Sequence, residues 1–222
     1  TSSTFNWIYL GTTATFIDPT EGNNTSENAA ALTVAGSNTF GSTGDPLYTH
    51  ITQATFTNVG GSATGLDTNN NAANDRITTD IGNGSITIIH DASVVYNATV
   101  TYADGTTGTI TAVVVQDTAG RLFLAPETGP GADTTTYEAK PIVSLTLNSV
   151  SSATGDTSII RQVTGWDNGI VDGTAGADLI NGTYTEPTAN GSDKVDGGDG
   201  TSSSGTAWTD DSIRAGAGND TV

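Results

Sequence analysis

Short runs in which apolar and polar residues alternate recur along the first 170 residues, and a period of two marks a half-buried strand. Phe5-Asn6-Trp7-Ile8-Tyr9-Leu10 opens the series, followed by Gly11 and then Thr15-Phe16-Ile17. The clearest hairpin joins Asn97–Tyr102 to Thr109–Val115 through Ala103-Asp104-Gly105, because Asp-Gly between two alternating runs is a strong turn signal. A second turn, Gln116-Asp117-Thr118-Ala119-Gly120, leads into Arg121-Leu122-Phe123-Leu124. Further strands are predicted at Ala54–Thr57, Ser85–His90 and Ile142–Leu147. One short helix is predicted over Glu27–Leu32, capped by Thr25 or Ser26. Gly60–Asn74 and Glu127–Thr136 read as loops. The pattern predicts an all-β fold: a β-sandwich of jelly-roll type over residues 1–168, then a different kind of structure over 169–222.

Composition supports strands joined by turns, since Gly, Thr, Asn, Ser and Asp dominate. Charge narrows the partners. Twenty-four carboxylates stand against six basic residues, a net charge of −18. Such a chain is unsuited to nucleic acid, whose phosphates need a basic face, and to anionic membrane surfaces. No apolar run is long enough to span a bilayer and no cleavable signal peptide is visible. The absence of cysteine removes disulfides, thiolate metal sites and a cysteine nucleophile. The chain lacks a starting methionine, as expected of a processed chain or a piece of a longer one.

From residue 173 the carboxylates follow a pattern. Gly173-Thr174-Ala175-Gly176-Ala177-Asp178-Leu179-Ile180-Asn181 fits the nonapeptide template G-G-x-G-x-D-x-U-x, where U is a large apolar residue. Ala215-Gly216-Ala217-Gly218-Asn219-Asp220-Thr221-Val222 fits again. Between them lie Gly191-Ser192-Asp193-Lys194-Val195, Gly197-Gly198-Asp199-Gly200 and Asp211-Ser212-Ile213. Unit starts at 188, 197, 206 and 215 fall nine residues apart. Residues 201–209 read either as an excursion or as a degenerate unit. In the first case Asp178 shares a side with Asp210 and Asp211, and Asp193 with Asp220. In the second, Asp193 pairs with Asp211. Glycines let backbone carbonyls converge, and the Asp at the end of each turn adds a hard carboxylate. Ca²⁺ takes six to eight oxygens in irregular geometry, so two stacked turns suit it. Ile180, Val195, Ile213 and Val222 would point inward as a thin core. Folding of this part is then expected to depend on the ion.

On these residues the segment 172–222 resembles the RTX, or haemolysin-type, calcium-binding family. That resemblance implies a short parallel β-roll, Ca²⁺ as cofactor, and metal ligands among Gly173, Ala175, Asp178, Asn190, Asp193, Asp196, Gly197, Asp199, Asp210, Asp211, Ala217, Asn219 and Asp220. The segments around Trp7, Ile17–Asn23 and Gly165-Trp166-Asp167 are similar to the N-terminal part of secreted bacterial proteins that carry RTX units ahead of a Hint-type self-processing domain. This implies a released or cell-surface bacterial protein.

Other chemistry has little purchase. His50 and His90 are the only histidines, and neither an H-E-x-x-H zinc motif nor a G-x-S-x-G nucleophile elbow occurs. Asp18, Glu21 and Glu27 are the carboxylates to weigh for glycosidase chemistry, with solvated loop residues the simpler reading. Trp7 is expected in the core, Trp166 as a cap at the junction, and Trp208 exposed. The expected function is a non-enzymatic extracellular structural module of a surface layer, filament or matrix. A carbohydrate-binding adhesin domain is the alternative, and a glycan-active enzyme comes third. Val222 closes the sequence in mid-strand, leaving a β-edge for self-association, with Thr4–Leu10 as a strand able to pair between subunits.

Overall fold

The computed structural model describes residues 2–20, 22–34, 38–57, 65–69, 71, 75–81, 84–162, 166–187, 193–195 and 211–222. Its strands are β1 (Ser2–Thr12), β2 (Thr39–Phe40), β3 (Ile51–Thr57), β4 (Gly65–Leu66), β5 (Arg76–Thr79), β6 (Ile86–Tyr102), β7 (Thr107–Asp117), β8 (Arg121–Ala125), β9 (Ile142–Ser152), β10 (Thr157–Ser158), β11 (Ile170–Asp172) and β12 (Ser212–Arg214). The protein is all-β, built on one large antiparallel sheet in the order β2-β9-β6-β5-β3-β1-β8-β7. β6 also pairs with β7, so the pairings return on themselves. β6 makes this possible by its length: Ile86–Ile89 pair with β5, and the residues from His90 onward pair with β7.

The predicted hairpin forms as β6–β7. Gly105 takes a φ of 81°, and the Asp104 carboxylate accepts the Thr106 N–H at 2.8 Å. The next turn is closed by Asp117, whose Oδ1 accepts the N–H groups of Ala119 (3.0 Å) and Arg121 (2.7 Å). Its Oδ2 holds the Arg121 guanidinium at 2.8 Å.

Alternation along β1 fills two cores. Phe5 and Trp7 belong to one hydrophobic cluster, Ile8 and Leu10 to the other. Trp7 stacks on Phe123 with ring centroids 3.9 Å apart and meets Phe56 edge-on at 5.1 Å. The second cluster is covered by Ala29 and Leu32, by Leu47, by Tyr137 and by Trp166.

Several expectations change. The 27–32 segment forms a 3-10 turn at Ala29–Thr33 with no side-chain cap, and Thr15–Ile17 is not a strand. Part of the expected loop 127–136 forms a helix, α1 (Ala132–Tyr137). The Glu127 carboxylate secures it by accepting the N–H of Thr134 at 3.0 Å and its hydroxyl at 2.7 Å. Trp166 does not cap the C-terminal segment. It lies in the main core, 4.5 Å from the Tyr137 ring, and donates to the Asn6 carbonyl at 3.0 Å. β1 pairs with β3 over Ser2–Ile8 and with β8 over Ile8–Thr12, so the two partners cover different stretches of the strand. Trp208 and Glu21 lie outside the described residues. No helix among the described residues is long and apolar enough to cross a membrane.

Candidate metal centre

The C-terminal segment begins with a parallel pair. Ile170, Val171 and Asp172 of β11 face Ser212, Ile213 and Arg214 of β12. The same register, an offset of 42 residues, carries on into the two Gly-rich turns. Gly173 N–H donates to the Arg214 carbonyl (2.8 Å), Ala217 N–H to the Thr174 carbonyl (3.3 Å), and Ile180 N–H to the Thr221 carbonyl (2.8 Å). Thr221 N–H returns a bond to the Asp178 carbonyl at 2.9 Å, and Leu179 and Thr221 form a parallel bridge.

The glycines allow this approach. A Cβ on Gly173 would run into the carbonyl of Ala215, and one on Gly216 into that of Thr174. Gly218 faces the Gly176 carbonyl in the same way, and both Gly216 and Gly218 have positive φ.

The two template aspartates meet in the stack. Asp178 N–H donates to Asp220 Oδ1 at 3.0 Å. The Asp178 carboxylate accepts the Thr174 N–H at 2.6 Å and the Thr174 hydroxyl at 2.9 Å. Asp178 therefore meets Asp220, a pairing that neither reading of residues 201–209 predicted. Ala175, Ala217 and Asn219 are exposed on these turns, and Asp211 is half-buried just ahead of β12. Of the predicted inward residues, Ile180 is buried, Val195 and Ile213 are half-buried, and Val222 is 74 % exposed. Asn190, Asp196, Gly197, Asp199 and Asp210 lie outside the described residues.

Asp193 sits in a second group. Its backbone carbonyl accepts the Glu186 N–H at 3.1 Å, beside a Thr185–Lys194 bridge. Glu186 is 3 % exposed, and its Oε2 accepts the Asp172 N–H at 2.6 Å while Oε1 is buried with no hydrogen-bond partner. Burial, aided by the neighbouring Asp193 carboxylate, pushes the Glu186 carboxyl up to about 8. Asp172 is answered by a two-pronged contact from Arg214, Nε to Oδ1 at 2.5 Å and a terminal nitrogen to Oδ2 at 2.6 Å. Tyr184 links the two groups: its hydroxyl donates to the Asp172 carbonyl at 3.0 Å. Its pKa is raised by desolvation and by the charges of Asp178, Glu186, Asp172 and Asp220. Glu186 and Tyr184 escaped the sequence reading because neither falls on a template position. The constant offset that pairs Asp172 with Arg214 was the available signal.

Hard carboxylate and carbonyl oxygens suit Ca²⁺. Among the described residues no three His, Asp or Glu side chains converge as a complete metal cage. Asp178 and Asp220 supply two carboxylates, each with lone pairs beyond the hydrogen bonds already made. The two histidines are placed apart: His50 contacts Asp45 at 2.8 Å, and buried His90 contacts the Asp67 carbonyl at 2.8 Å. Comparison with protein-family models, with curated proteins and with solved structures found no match.

Proposed function

We propose that this chain is a non-enzymatic, secreted calcium-binding structural module of a bacterial extracellular surface, filament or matrix. In this reading residues 1–168 form a sandwich-like scaffold and 169–222 a short parallel β-roll of RTX type, ordered by Ca²⁺. The supporting observation is the in-register stack of the 173–181 and 215–222 turns, with Asp178 against Asp220 and glycines at the points of closest approach. A turn that directs backbone oxygens and carboxylates to one side gains stability from a cation bound only in the folded state.

Assembly enters through the same segment. Leu179 and Val222 are 62 % and 74 % exposed on the stacked turns, and β12 has β11 as its partner among the described residues. An exposed apolar pair beside a strand edge favours addition of a further turn or of a second copy.

Calorimetric titration with Ca²⁺, followed by size exclusion in calcium and in chelator, tests the reading. Saturable calcium uptake is expected, with larger species in calcium than in chelator. A chain that takes up no calcium at millimolar concentration contradicts the calcium reading. A monomer in both conditions contradicts the assembly.

A further inference from the structure

A third carboxylate group lies far along the chain from the stack, in the loop between β1 and the Ala29–Thr33 turn. The loop is pinned at its neck. Asn28 N–H donates to the Ile17 carbonyl at 3.2 Å, and the Asn28 side-chain amide to the Phe16 carbonyl at 3.2 Å. Ile17 is fully buried, and its own N–H donates to the side chain of buried Gln116 at 2.7 Å. Farther round, Ser26 N–H donates to the Ala153 carbonyl at 2.8 Å. Because Ile17 pairs with Asn28, the next residues inward, Asp18 and Glu27, stand opposite each other.

Their side chains meet without a donor between them. Asp18 is 2 % exposed. Its Oδ1 receives one long bond from Thr20 N–H at 3.4 Å, whereas Oδ2 is buried with no hydrogen-bond partner. The Asp18 carboxyl is in contact with that of Glu27, which is solvent-exposed and steadied by the Asn23 amide on its Oε1 at 2.7 Å. The charge of Asp91, buried at the β6 bulge between His90 and Ala92, adds to the negative field. Burial first, and then Glu27, raise the Asp18 carboxyl to about 7.

Two carboxylates in contact, one of them buried and short of a donor, repel unless something positive lies between them. An exposed Glu beside a buried Asp offers a cation one outer and one inner carboxylate. Carboxylate ligands select a hard divalent ion, and calcium accepts such oxygens in an irregular shell.

We propose that Asp18 and Glu27 hold a divalent cation of the calcium type, in a site separate from the C-terminal stack, which fastens the 17–28 loop onto the large sheet. Asp18 supplies the buried oxygen and Glu27 the outer one. Asn23 positions Glu27, and Asp91 contributes field without being required as a direct ligand.

The test is calcium titration of the full chain by calorimetry, with amide NMR shifts of Thr20 and Asn23 as local reporters. It compares the wild type with Glu27→Gln, Asp18→Asn and the double variant Asp178→Asn, Asp220→Asn. Glu27→Gln, at an exposed position, is expected to keep the fold and to weaken this one site about tenfold or more, removing one ion from the titration. Asp18→Asn is expected to do the same. The stack double variant should retain the calcium-dependent shifts of Thr20 and Asn23, which separates this site from the C-terminal reading. Unmoved Thr20 and Asn23 amides in wild type at saturating calcium overturn the proposal. Unchanged stoichiometry and affinity in Glu27→Gln overturn it equally, leaving a shared proton as the link between the two carboxyls.

Discussion

The large sheet and the C-terminal stack handle their buried acids in different ways. In the sheet, Asp117 is fully enclosed yet satisfied, with two backbone N–H groups on one oxygen and Arg121 on the other. Around it, two aromatic-rich and aliphatic clusters supply the burial that drives folding. In the stack, Val171 and Ile180 are the fully buried apolar residues among those described, while Asp172, Asp178, Glu186 and Asp220 all act on Tyr184. Arg214 answers Asp172, but Glu186 keeps a buried oxygen without a donor. One region is held by apolar area. The other is held by backbone contacts between glycines and carries more negative charge than its core offsets. The difference is what the calcium proposal rests on: apolar burial accounts for the sheet, whereas the proposal assigns the balance of charge in the stack to an external cation.

The contrast can be broken most severely at Trp7. Trp7→Ala removes a fully buried ring that stacks on Phe123, and is expected to cost about 3–5 kcal/mol of sheet stability. The loss should be equal in calcium and in chelator by denaturant titration. A calcium-dependent loss would join the two regions into one cooperative unit. Next in size is Gly216→Val, which places a β-branched side chain at a φ of 85° and drives it into the Thr174 carbonyl. About 1–3 kcal/mol is expected, confined to the calcium-dependent transition. The Trp fluorescence of the sheet should be unmoved. Smaller again, Asp178→Asn is expected to weaken calcium binding about tenfold, near 1.4 kcal/mol, because the amide keeps the shape of the turn and removes one charge.

The smallest effect concerns pH. Burial lowers the His90 pKa from 6.5 to about 4. The unfolded chain therefore binds a proton that the folded one refuses, and stability falls as pH drops from 6.5 towards 4. His90→Gln removes that penalty. Measured against its own value at neutral pH, the variant is expected to gain about 1 kcal/mol over wild type near pH 5.5. Parallel pH profiles would locate the acid sensitivity elsewhere.

Much of the sheet was legible because local signals and tertiary demands agree. Asp104-Gly105 between alternating runs named the β6–β7 hairpin, and the Asp117 turn named β8. Helix α1 was not legible. Its Thr-rich sequence has little helical preference, and the Glu127 carboxylate that holds Thr134 comes from outside the helix. The length of β6 was hidden because its two ends serve different partners, β5 and β7. In the C-terminal segment the template marked Asp178 and Asp220 individually. Their pairing was obscured by counting in nines, since the contact is set by the close approach of Gly173, Gly216 and Gly218 to facing carbonyls. Glu186 gave no signal, and Asp18 stood out only beside Glu21 and Glu27 as a carboxylate to weigh for glycosidase chemistry. Each becomes notable only when the fold buries an oxygen and brings a second carboxyl to it.

The central claim is that calcium orders the 173–181 and 215–222 turns while the large sheet stands without it. Amide hydrogen exchange of the full chain, in calcium and in chelator, reads both regions at once. The amides of Asp178, Ile180, Ala217 and Thr221, which bond across the stack, are expected to gain strong protection in calcium. Those of Val94, Tyr96 and Val114 in β6 and β7 should exchange at the same rate in both conditions. Equal exchange of the stack amides with and without calcium would contradict the account.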